Sequence, residues 1–179
     1  MPKDVFIGKS KVNFITIGRM CEQKNSLFIV KIIKELKNLN DNIHLFWVGN
    51  GPLRENILKE IKKNKLDDHI TILNNRRDVP QLLSNMDYMI MPSKWEGLPV
   101  SLVESQASGL PCFISDNITD EVDLGLCTKI SLNNNEKDWA QKINNYIING
   151  TYNNKIDEGN LFKFDIKNVA MEISKIYCK

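Results

Sequence analysis

Two glutamates eight positions apart, in the run Glu96-Gly-Leu-Pro-Val-Ser-Leu-Val-Glu104, are the residues best placed to do chemistry in this chain. Glu96 is predicted to lie in a loop, where its carboxylate can accept hydrogen bonds from sugar hydroxyls. Glu104 is predicted about one turn inside the following helix, where it could hold the two hydroxyls of a ribose. Eight helical residues rise about 12 Å, a distance that could reach from a hexose to a ribose. The spacing suits a nucleotide sugar, although an unrelated loop glutamate and a solvated helix glutamate would give the same pattern.

The residues between these glutamates could bind phosphate. Pro99 has a preset φ and no N–H, so it suits the first turn of a helix. The backbone N–H groups of Gly97, Leu98 and Val100 are then predicted to be free at the helix start. The helix dipole favours an anion at that position.

Two cations follow the first predicted strand, in the run Gly18-Arg19-Met-Cys-Glu-Gln-Lys24. Arginine offers a planar fork to phosphate oxygens, and lysine offers a mobile point charge. A diphosphate leaving group needs such neutralisation because negative charge accumulates on it as the bond to the sugar breaks. Two solvated cations on a loop are the alternative interpretation.

Three other features give weaker signals. Gly49-Asn-Gly51 lacks the complete G-x-G-x-x-G pattern, so a tight strand-to-helix turn is favoured over a close approach to a ligand. Arg76 lies in a polar segment that could contact a base, although a simple polar turn is favoured there. Trp95 could either line a sugar pocket or anchor the loop beside Glu96.

The alternation of short β-branched runs with longer helical periods predicts an α/β, doubly wound, Rossmann-like domain with a central parallel sheet of about six strands. Ligands bind beyond the carboxyl ends of the strands in such folds, and the candidate segments directly follow predicted strands. We predict an N-terminal extension over 1–11, a ligand-binding domain over 12–150, and a connector with a closing helix over 151–179. The predicted strands are 13–17, 43–48, 70–73, 88–91, 111–114 and 128–131. One predicted helix begins at a cap at Ser26, and the other predicted helices cover 52–61, 79–84, 100–107, 136–148 and 166–177.

Composition excludes several classes of function. The 179 residues carry a formal net charge of only +2, and their aromatic residues are not interleaved with basic clusters, so nucleic acid is not an expected partner. Four scattered cysteines without a C-x-x-C pair indicate packed thiols, and His44 and His69 lie in or beside apolar runs, so no metal site is expected. No signal peptide or membrane-length apolar run is present, which favours a cytoplasmic protein.

With these residues identified, the chain resembles the C-terminal, donor-binding half of a family 4 glycosyltransferase of the GT-B fold. The resemblance covers most of residues 12–148, and the run from Glu96 to Asp123 is most similar to bacterial capsular or exopolysaccharide enzymes. The matching motifs are Gly18-Arg19 with Lys24, Gly49-Asn-Gly51, Asp78-Val-Pro-Gln-Leu-Leu83, Asp87-Tyr-Met-Ile-Met-Pro92, the run Glu96 to Glu104, Gly109-Leu-Pro111 and Ser115-Asp116.

The resemblance implies a role for each candidate residue. Arg19 and Lys24 would bind the donor diphosphate, Glu96 would contact the sugar hydroxyls as a positioning residue, and these three form the catalytic set. Glu104 would hold the ribose. The implied donor-binding set also includes the following residues: Gly18, Gly49, Arg76, Gly97, Leu98 and Val100. The family retains anomeric configuration, generally without a metal ion, and no cofactor is implied.

Two departures from the family pattern affect the loops. Asn25 stands where glycine is usual, and Asn74 stands where glycine is frequent. Asparagine tolerates a positive φ better than most residues, so both loops could keep their shape. The N-terminal acceptor domain of the family has no counterpart in this sequence. The isolated chain is therefore expected to be inactive, with a sugar or lipid-linked acceptor reached through that domain and the full enzyme peripheral at the inner membrane face.

Three functions are compatible with these residues. The leading hypothesis is a retaining glycosyltransferase donor domain that uses a nucleotide sugar, favouring a UDP-sugar, in polysaccharide biosynthesis. A non-catalytic module that binds nucleotide sugars is the second. A GT-B-like sugar-nucleotide epimerase is the third, and it is less supported because the sequence shows no convincing set of acid/base carboxylates and histidines.

Overall fold

The computed structural model describes residues 11–150 and 156–177. Six strands form one parallel sheet in the order β3-β2-β1-β4-β5-β6, which confirms the predicted doubly wound architecture. Every predicted strand is present, with ends that differ by no more than one residue. The strands are β1 (Val12–Ile17), β2 (Ile43–Val48), β3 (Ile70–Asn74), β4 (Tyr88–Met91), β5 (Cys112–Ser115) and β6 (Cys127–Ile130).

Seven α-helices surround this sheet within the described residues. The helix over Glu158–Phe162 falls in a segment that the sequence predicts to be a connector, and residues 151–155 of that connector lie outside the described residues. The helices are α1 (Ser26–Leu39), α2 (Arg54–Lys63), α3 (Val79–Leu83), α4 (Val100–Ala107), α5 (Glu136–Asn149), α6 (Glu158–Phe162) and α7 (Ile166–Tyr177), with a short 3-10 helix at Asp120–Val122.

The helices bury the sheet on both faces. On one face α1, α2 and α5 supply buried residues to a shared core, where Trp139 of α5 meets Phe28 of α1 in an edge-on ring contact of 5.8 Å. On the other face α3 and α4 cover a second core that includes Met89 and Leu102. All four residues of β4 are buried, as expected for a parallel strand covered on both sides.

The sheet has its topological switch point between β1 and β4. From β1 the chain continues outward through β2 to β3, and from β4 it continues in the opposite direction through β5 to β6. The loops that follow β1 and β4 therefore leave the same edge of the sheet and diverge, which opens a crevice between them. The two predicted cations and Glu96 lie on these two loops.

The entry into α1 differs from the predicted cap. Ser26 is the first helical residue and does not cap the helix; its hydroxyl instead accepts from the N–H of Cys21 at 3.0 Å and donates to the carbonyl of Cys21 at 3.1 Å. The cap position is Asn25, with a φ of 53°. Asn74 likewise has a φ of 54°, so both asparagines adopt the positive φ expected of them. Ser26 thus closes the loop after β1 while Asn25 turns the chain into the helix.

The closing helix α7 is present where it is predicted, and it leaves much of its apolar surface uncovered. Ile166 is 81% exposed and Met171 is 53% exposed. No helix among residues 11–150 and 156–177 combines the length and the apolar character needed to cross a bilayer.

Candidate functional site

The loops after β1 and β4 are joined by hydrogen bonds across the switch point. The carbonyl of Gln23 accepts from the N–H of Lys94 at 2.8 Å. The side-chain amide of Gln23 donates to the carbonyl of Trp95 at 3.1 Å. An exposed ion pair between Glu22 and Lys94, at 2.9 Å, adds a third contact at the outer end. These contacts hold two consecutive residues of one loop, Glu22 and Gln23, beside two consecutive residues of the other, Lys94 and Trp95.

At the inner end of this contact, Lys24 and Glu96 form an ion pair. The Nζ of Lys24 lies 2.6 Å from the Oε1 of Glu96. The Glu96 side chain is only 7% exposed and that of Lys24 is 20% exposed, so the pair is largely shielded from water. Charged hydrogen bonds are stronger where water is excluded. The structure thus brings together two of the predicted catalytic residues, which are far apart in the sequence.

Arg19 lines a small cavity together with Lys24, and its guanidinium is free. It is exposed and makes no hydrogen bond or ion pair with another described residue. With Gly18 it lines an open cleft of about 530 Å³ at the carboxyl ends of β1 and β2. Gly49 and Arg76 line the same cleft. Four of the predicted donor-binding residues therefore share one surface.

Arg76 is held in place by a neighbour. Its Nε donates to Asp78 at 2.8 Å and its terminal nitrogen donates to the other carboxylate oxygen at 2.7 Å. This two-point contact fixes the guanidinium plane against the start of α3. Arg76 can therefore present a flat surface to the cleft, but part of its hydrogen-bonding capacity is already used by Asp78.

The glycines of the Gly49-Asn-Gly51 turn are required by packing. A Cβ at Gly49 would lie 2.0 Å from the carbonyl oxygen of Gly18, and one at Gly51 would lie 2.4 Å from that of Met20. The turn after β2 is thus pressed against the turn after β1 by backbone alone. This supports the tight-turn interpretation, and the same contact positions Gly18 and Arg19.

The start of α4 offers backbone donors, although not the predicted three. Pro99 is the cap residue and not part of the first turn, and the N–H of Val100 donates to the carbonyl of Leu98 at 2.9 Å. The prediction of a free Val100 amide is therefore wrong, because an inverse γ-turn around Pro99 uses it. The N–H groups of Gly97, Leu98 and Ser101 donate to no other described group. Ser101 thus takes the place assigned to Val100.

Glu104 lies one turn into α4, as predicted, but lines a different surface from Lys24 and Glu96. Together with Leu98 and Val100 it borders a mostly apolar groove of about 740 Å³ between α4 and the C-terminal segment. The hydroxyl of Ser101 lies 3.5 Å from the carbonyl oxygen of Ile17 at the end of β1. Ser101 in the first turn of α4 thus lies against the end of β1, whose Ile17 lines the cleft, while Val100 and Glu104 of the same helix border the groove.

The family described as "Glycosyl transferases group 1" matches residues 11–149 of this chain. The match spans both loops of the switch point and all of α4. The chain belongs to this family. The resemblance to glycosyltransferases that the sequence motifs carry is thereby confirmed.

Two relatives show how this glycosyl transferase domain is used elsewhere. The chain is 41% identical over 129 residues to the putative glycosyltransferase EpsF of Bacillus subtilis, covering 71% of this chain and 34% of EpsF. It is 29% identical over 175 residues to the capsular polysaccharide biosynthesis glycosyltransferase CapH of Staphylococcus aureus, covering 94% of this chain and 48% of CapH. The chain thus spans between about a third and a half of the length of these relatives.

The fold of the glycosyl transferase domain is also found in solved structures. The pneumococcal O-GlcNAc transferase GtfA, in complex with UDP and GlcNAc, superposes with a TM-score of 0.79 at 21% identity. The superposition covers 96% of this chain and 37% of GtfA. The prediction of one half of a GT-B fold is confirmed by this likeness.

One buried residue of the site lies outside the predicted set. Ser93 is fully buried two residues after the end of β4, and its hydroxyl has no hydrogen-bond partner among the described residues. It lines a cavity of about 10 Å³ beneath Gly18, Arg19 and Lys24, which is the size of one water molecule. Ser93 is not among the residues predicted for the site, and the available signal was its place two residues after a buried strand.

The two histidines and two of the described cysteines lie in surroundings typical of structural residues. His69 is buried and contacts Asp41 at 3.0 Å, and His44 contacts Thr71 at 2.9 Å and a backbone carbonyl. Burial raises the pKa of the Cys112 thiol and of the neighbouring Cys127 thiol, which keeps both protonated. Cys178 lies outside the described residues. Residues 11–150 and 156–177 contain no group of three side chains suited to holding a metal ion.

Proposed function

We propose that this chain is the donor-binding half of a retaining glycosyltransferase that transfers a hexose from a UDP-sugar in polysaccharide biosynthesis. The observation that supports it best is the shielded Lys24–Glu96 pair at the switch point, together with the free guanidinium of Arg19, which lines a small cavity with Lys24. Cations for a diphosphate and a carboxylate for sugar hydroxyls are the two chemistries that such a donor needs. The family match supports the same conclusion.

In this proposal the diphosphate lies between the cations and the start of α4. Arg19 and Lys24 bind its oxygens, and the free N–H groups of Gly97 and Leu98 face the same ligand. Negative charge on the leaving phosphate is neutralised by these groups as the bond to the sugar breaks. No metal ion or cofactor is needed for this neutralisation, because the protein itself supplies two cations and backbone dipoles.

Glu96 positions the sugar in this mechanism and does not attack it. Its Oε1 is bound to Lys24, and its second oxygen can accept from sugar hydroxyls. The acceptor hydroxyl attacks from the face that the nucleotide leaves, and an oxygen of the departing phosphate accepts the proton. Attack on that face retains the anomeric configuration.

Uracil as the base and a polysaccharide as the product are proposed from relatives. GtfA has been crystallised with UDP and GlcNAc, and CapH is named for capsular polysaccharide biosynthesis. Glu104 is assigned to the ribose hydroxyls, and Arg76 to the side of the base, where Asp78 holds its guanidinium flat. These assignments place the nucleotide across the first turn of α4.

The acceptor is assigned to a second domain. The chain corresponds to about half of CapH, and the GT-B resemblance implies an acceptor domain opposite this one. We propose a sugar or lipid-linked acceptor and a cytoplasmic enzyme that works at the inner membrane face. The exposed apolar residues of α7 could contribute to contact between the two domains.

The proposal can be tested with a protein that contains both this chain and its acceptor domain. That protein is incubated with a UDP-hexose, and the product is analysed. Proton NMR of the anomeric signals should show transfer with the α configuration of the donor preserved. A product of inverted configuration contradicts the retaining mechanism. Binding without transfer would favour the non-catalytic module, and an isomerised UDP-sugar without acceptor would favour the epimerase.

A further inference from the structure

The lysine proposed to bind the donor diphosphate is already paired with a carboxylate. The Nζ of Lys24 lies 2.6 Å from Glu96, and both side chains are mostly shielded from water. A phosphate that approaches Lys24 therefore also approaches the negative charge of Glu96. At such short range, and with little water between, two like charges repel each other appreciably.

Glu96 is not free to withdraw from this position. The backbone carbonyl of Trp95, the preceding residue, accepts a hydrogen bond from the side chain of Gln23. The N–H of Lys94 donates to the backbone carbonyl of Gln23. The carbonyl of Lys94 also accepts from the side chain of Asn117 at 2.8 Å. The backbone that precedes Glu96 is thus held from two sides, and the carboxylate itself is held by Lys24, the proposed phosphate-binding cation.

The donor and the product of the proposed reaction carry different charges at this place. In a nucleoside diphosphate sugar the terminal phosphate is esterified and carries a single negative charge, and the sugar hydroxyls can donate to Glu96. In the free nucleoside diphosphate the terminal phosphate is bonded only through the anhydride oxygen. Its second pKa is about 6, like that of a phosphate monoester, so it carries nearly two charges at neutral pH. It also offers no hydroxyl donors to the carboxylate.

We propose that Glu96 discriminates between donor and product, binding the nucleotide sugar and repelling the free nucleoside diphosphate, so that product release is driven by the same carboxylate that positions the sugar. This rests on the proposed function of the site. Glu96 acts here through charge as well as through hydrogen bonds. Removing its charge while keeping its shape should therefore strengthen the binding of the product.

Calorimetric titration of this chain with UDP and with UDP-glucose tests the proposal, using wild type and Glu96→Gln. We expect Glu96→Gln to bind UDP about three- to tenfold more tightly, because one charge that repels the phosphate is removed, and to bind UDP-glucose no more tightly than wild type. Glu96→Ala should change UDP binding in the same direction. Glu22→Gln is the matched control, because Glu22 forms the exposed ion pair across the same two loops. It should change neither affinity by more than about twofold.

The possible outcomes separate this inference from the proposed function. If wild type binds UDP and Glu96→Gln binds UDP more weakly or with the same affinity, the proposal that Glu96 discriminates against the product is wrong. The donor site itself is then not contradicted. If Glu22→Gln strengthens UDP equally, the effect comes from net charge and the role of Glu96 is overturned. If wild type binds neither UDP nor UDP-glucose, the donor site itself is contradicted. Circular dichroism of each variant confirms that the fold is kept.

Discussion

The side-chain amide of Gln23 donates a 3.1 Å hydrogen bond to the backbone carbonyl of Trp95, the residue immediately before Glu96. The two residues belong to different loops, and this bond joins them at the switch point of the sheet. Trp95 itself is 57% exposed, so its backbone and not its ring is what holds the loop. The contact sets the separation between the proposed phosphate-binding and sugar-binding residues.

We predict that Gln23→Ala weakens the binding of a UDP-sugar by about fivefold, the value of one lost hydrogen bond of roughly 1 kcal/mol. The loop that carries Glu96 would lose one of the two hydrogen bonds that it makes with Gln23. Calorimetry with UDP-glucose measures the affinity. Gln141→Ala is the control, since Gln141 also makes one side-chain hydrogen bond, to Asn145 on the exposed face of α5. Equal affinities for the two variants would show that Gln23 does not position the site.

Gly49→Ala should destabilise the domain by roughly 2–4 kcal/mol, in the range of severe overpacking. The added Cβ would lie 2.0 Å from the backbone oxygen of Gly18, which cannot move without shifting β1. Urea denaturation followed by circular dichroism measures the free energy of unfolding. Gly97→Ala is the matched control, because a Cβ there meets no atom within 4 Å. A loss of stability below about 0.5 kcal/mol for Gly49→Ala would contradict the close packing of the two turns.

Asn25 tests the conformation of the loop before α1. Its φ of 53° is costly for most residues, so Asn25→Ala should lower the free energy of unfolding by about 1 kcal/mol. Asn25→Gly should leave stability within about 0.5 kcal/mol of wild type, since glycine adopts this φ without strain. Thermal denaturation of the three proteins gives the comparison. Asn25→Ala as stable as Asn25→Gly would mean that the loop does not depend on a positive φ.

The domain should lose stability in weak acid through His44. Burial, with a further contribution from the charge of Lys11, lowers the pKa of His44 in the folded state below its ordinary value of about 6.5. The unfolded chain therefore takes up the proton first as the pH falls. The stability that depends on neutral His44 is fully present above about pH 6.5, and it declines as the pH falls toward the pKa of His44 in the folded state. Urea denaturation at pH 7.5 and 5.5 should show a smaller decline for His44→Asn than for wild type, and equal declines would rule out this contribution.

Local sequence signals were sufficient for the sheet and most helices. The uncharged run Tyr88–Met91 reads as a buried strand, and α4 begins at Val100 and ends before Gly109, as predicted. The signals failed where two local rules compete. Pro99 fits a first turn as well as a cap, and only the observed γ-turn decides that the Val100 amide is used. The short helix α6 is hidden by a polar composition that also suits a connector.

The candidate site was harder to predict because its contacts are long-range. The types of Lys24 and Glu96 suggested binding chemistry, but their pairing depends on β1 and β4 being neighbours in the sheet, which no local pattern reveals. The role of Gln23 and the burial of Ser93 depend on the same adjacency. The position of Glu104 on α4 could be predicted from local sequence, but the groove that it lines could not.

Titration of this chain with UDP, GDP and ADP, without added metal, tests the central claim most directly. The account predicts that UDP binds in preference to the other two. Arg19→Ala should weaken the binding of UDP by about tenfold or more, because a charged hydrogen bond to phosphate is lost. Glu104→Ala should also weaken the binding of UDP, because the ribose contact is lost. Equal binding of all three nucleotides, or UDP binding that neither substitution changes, would contradict a donor site at the switch point.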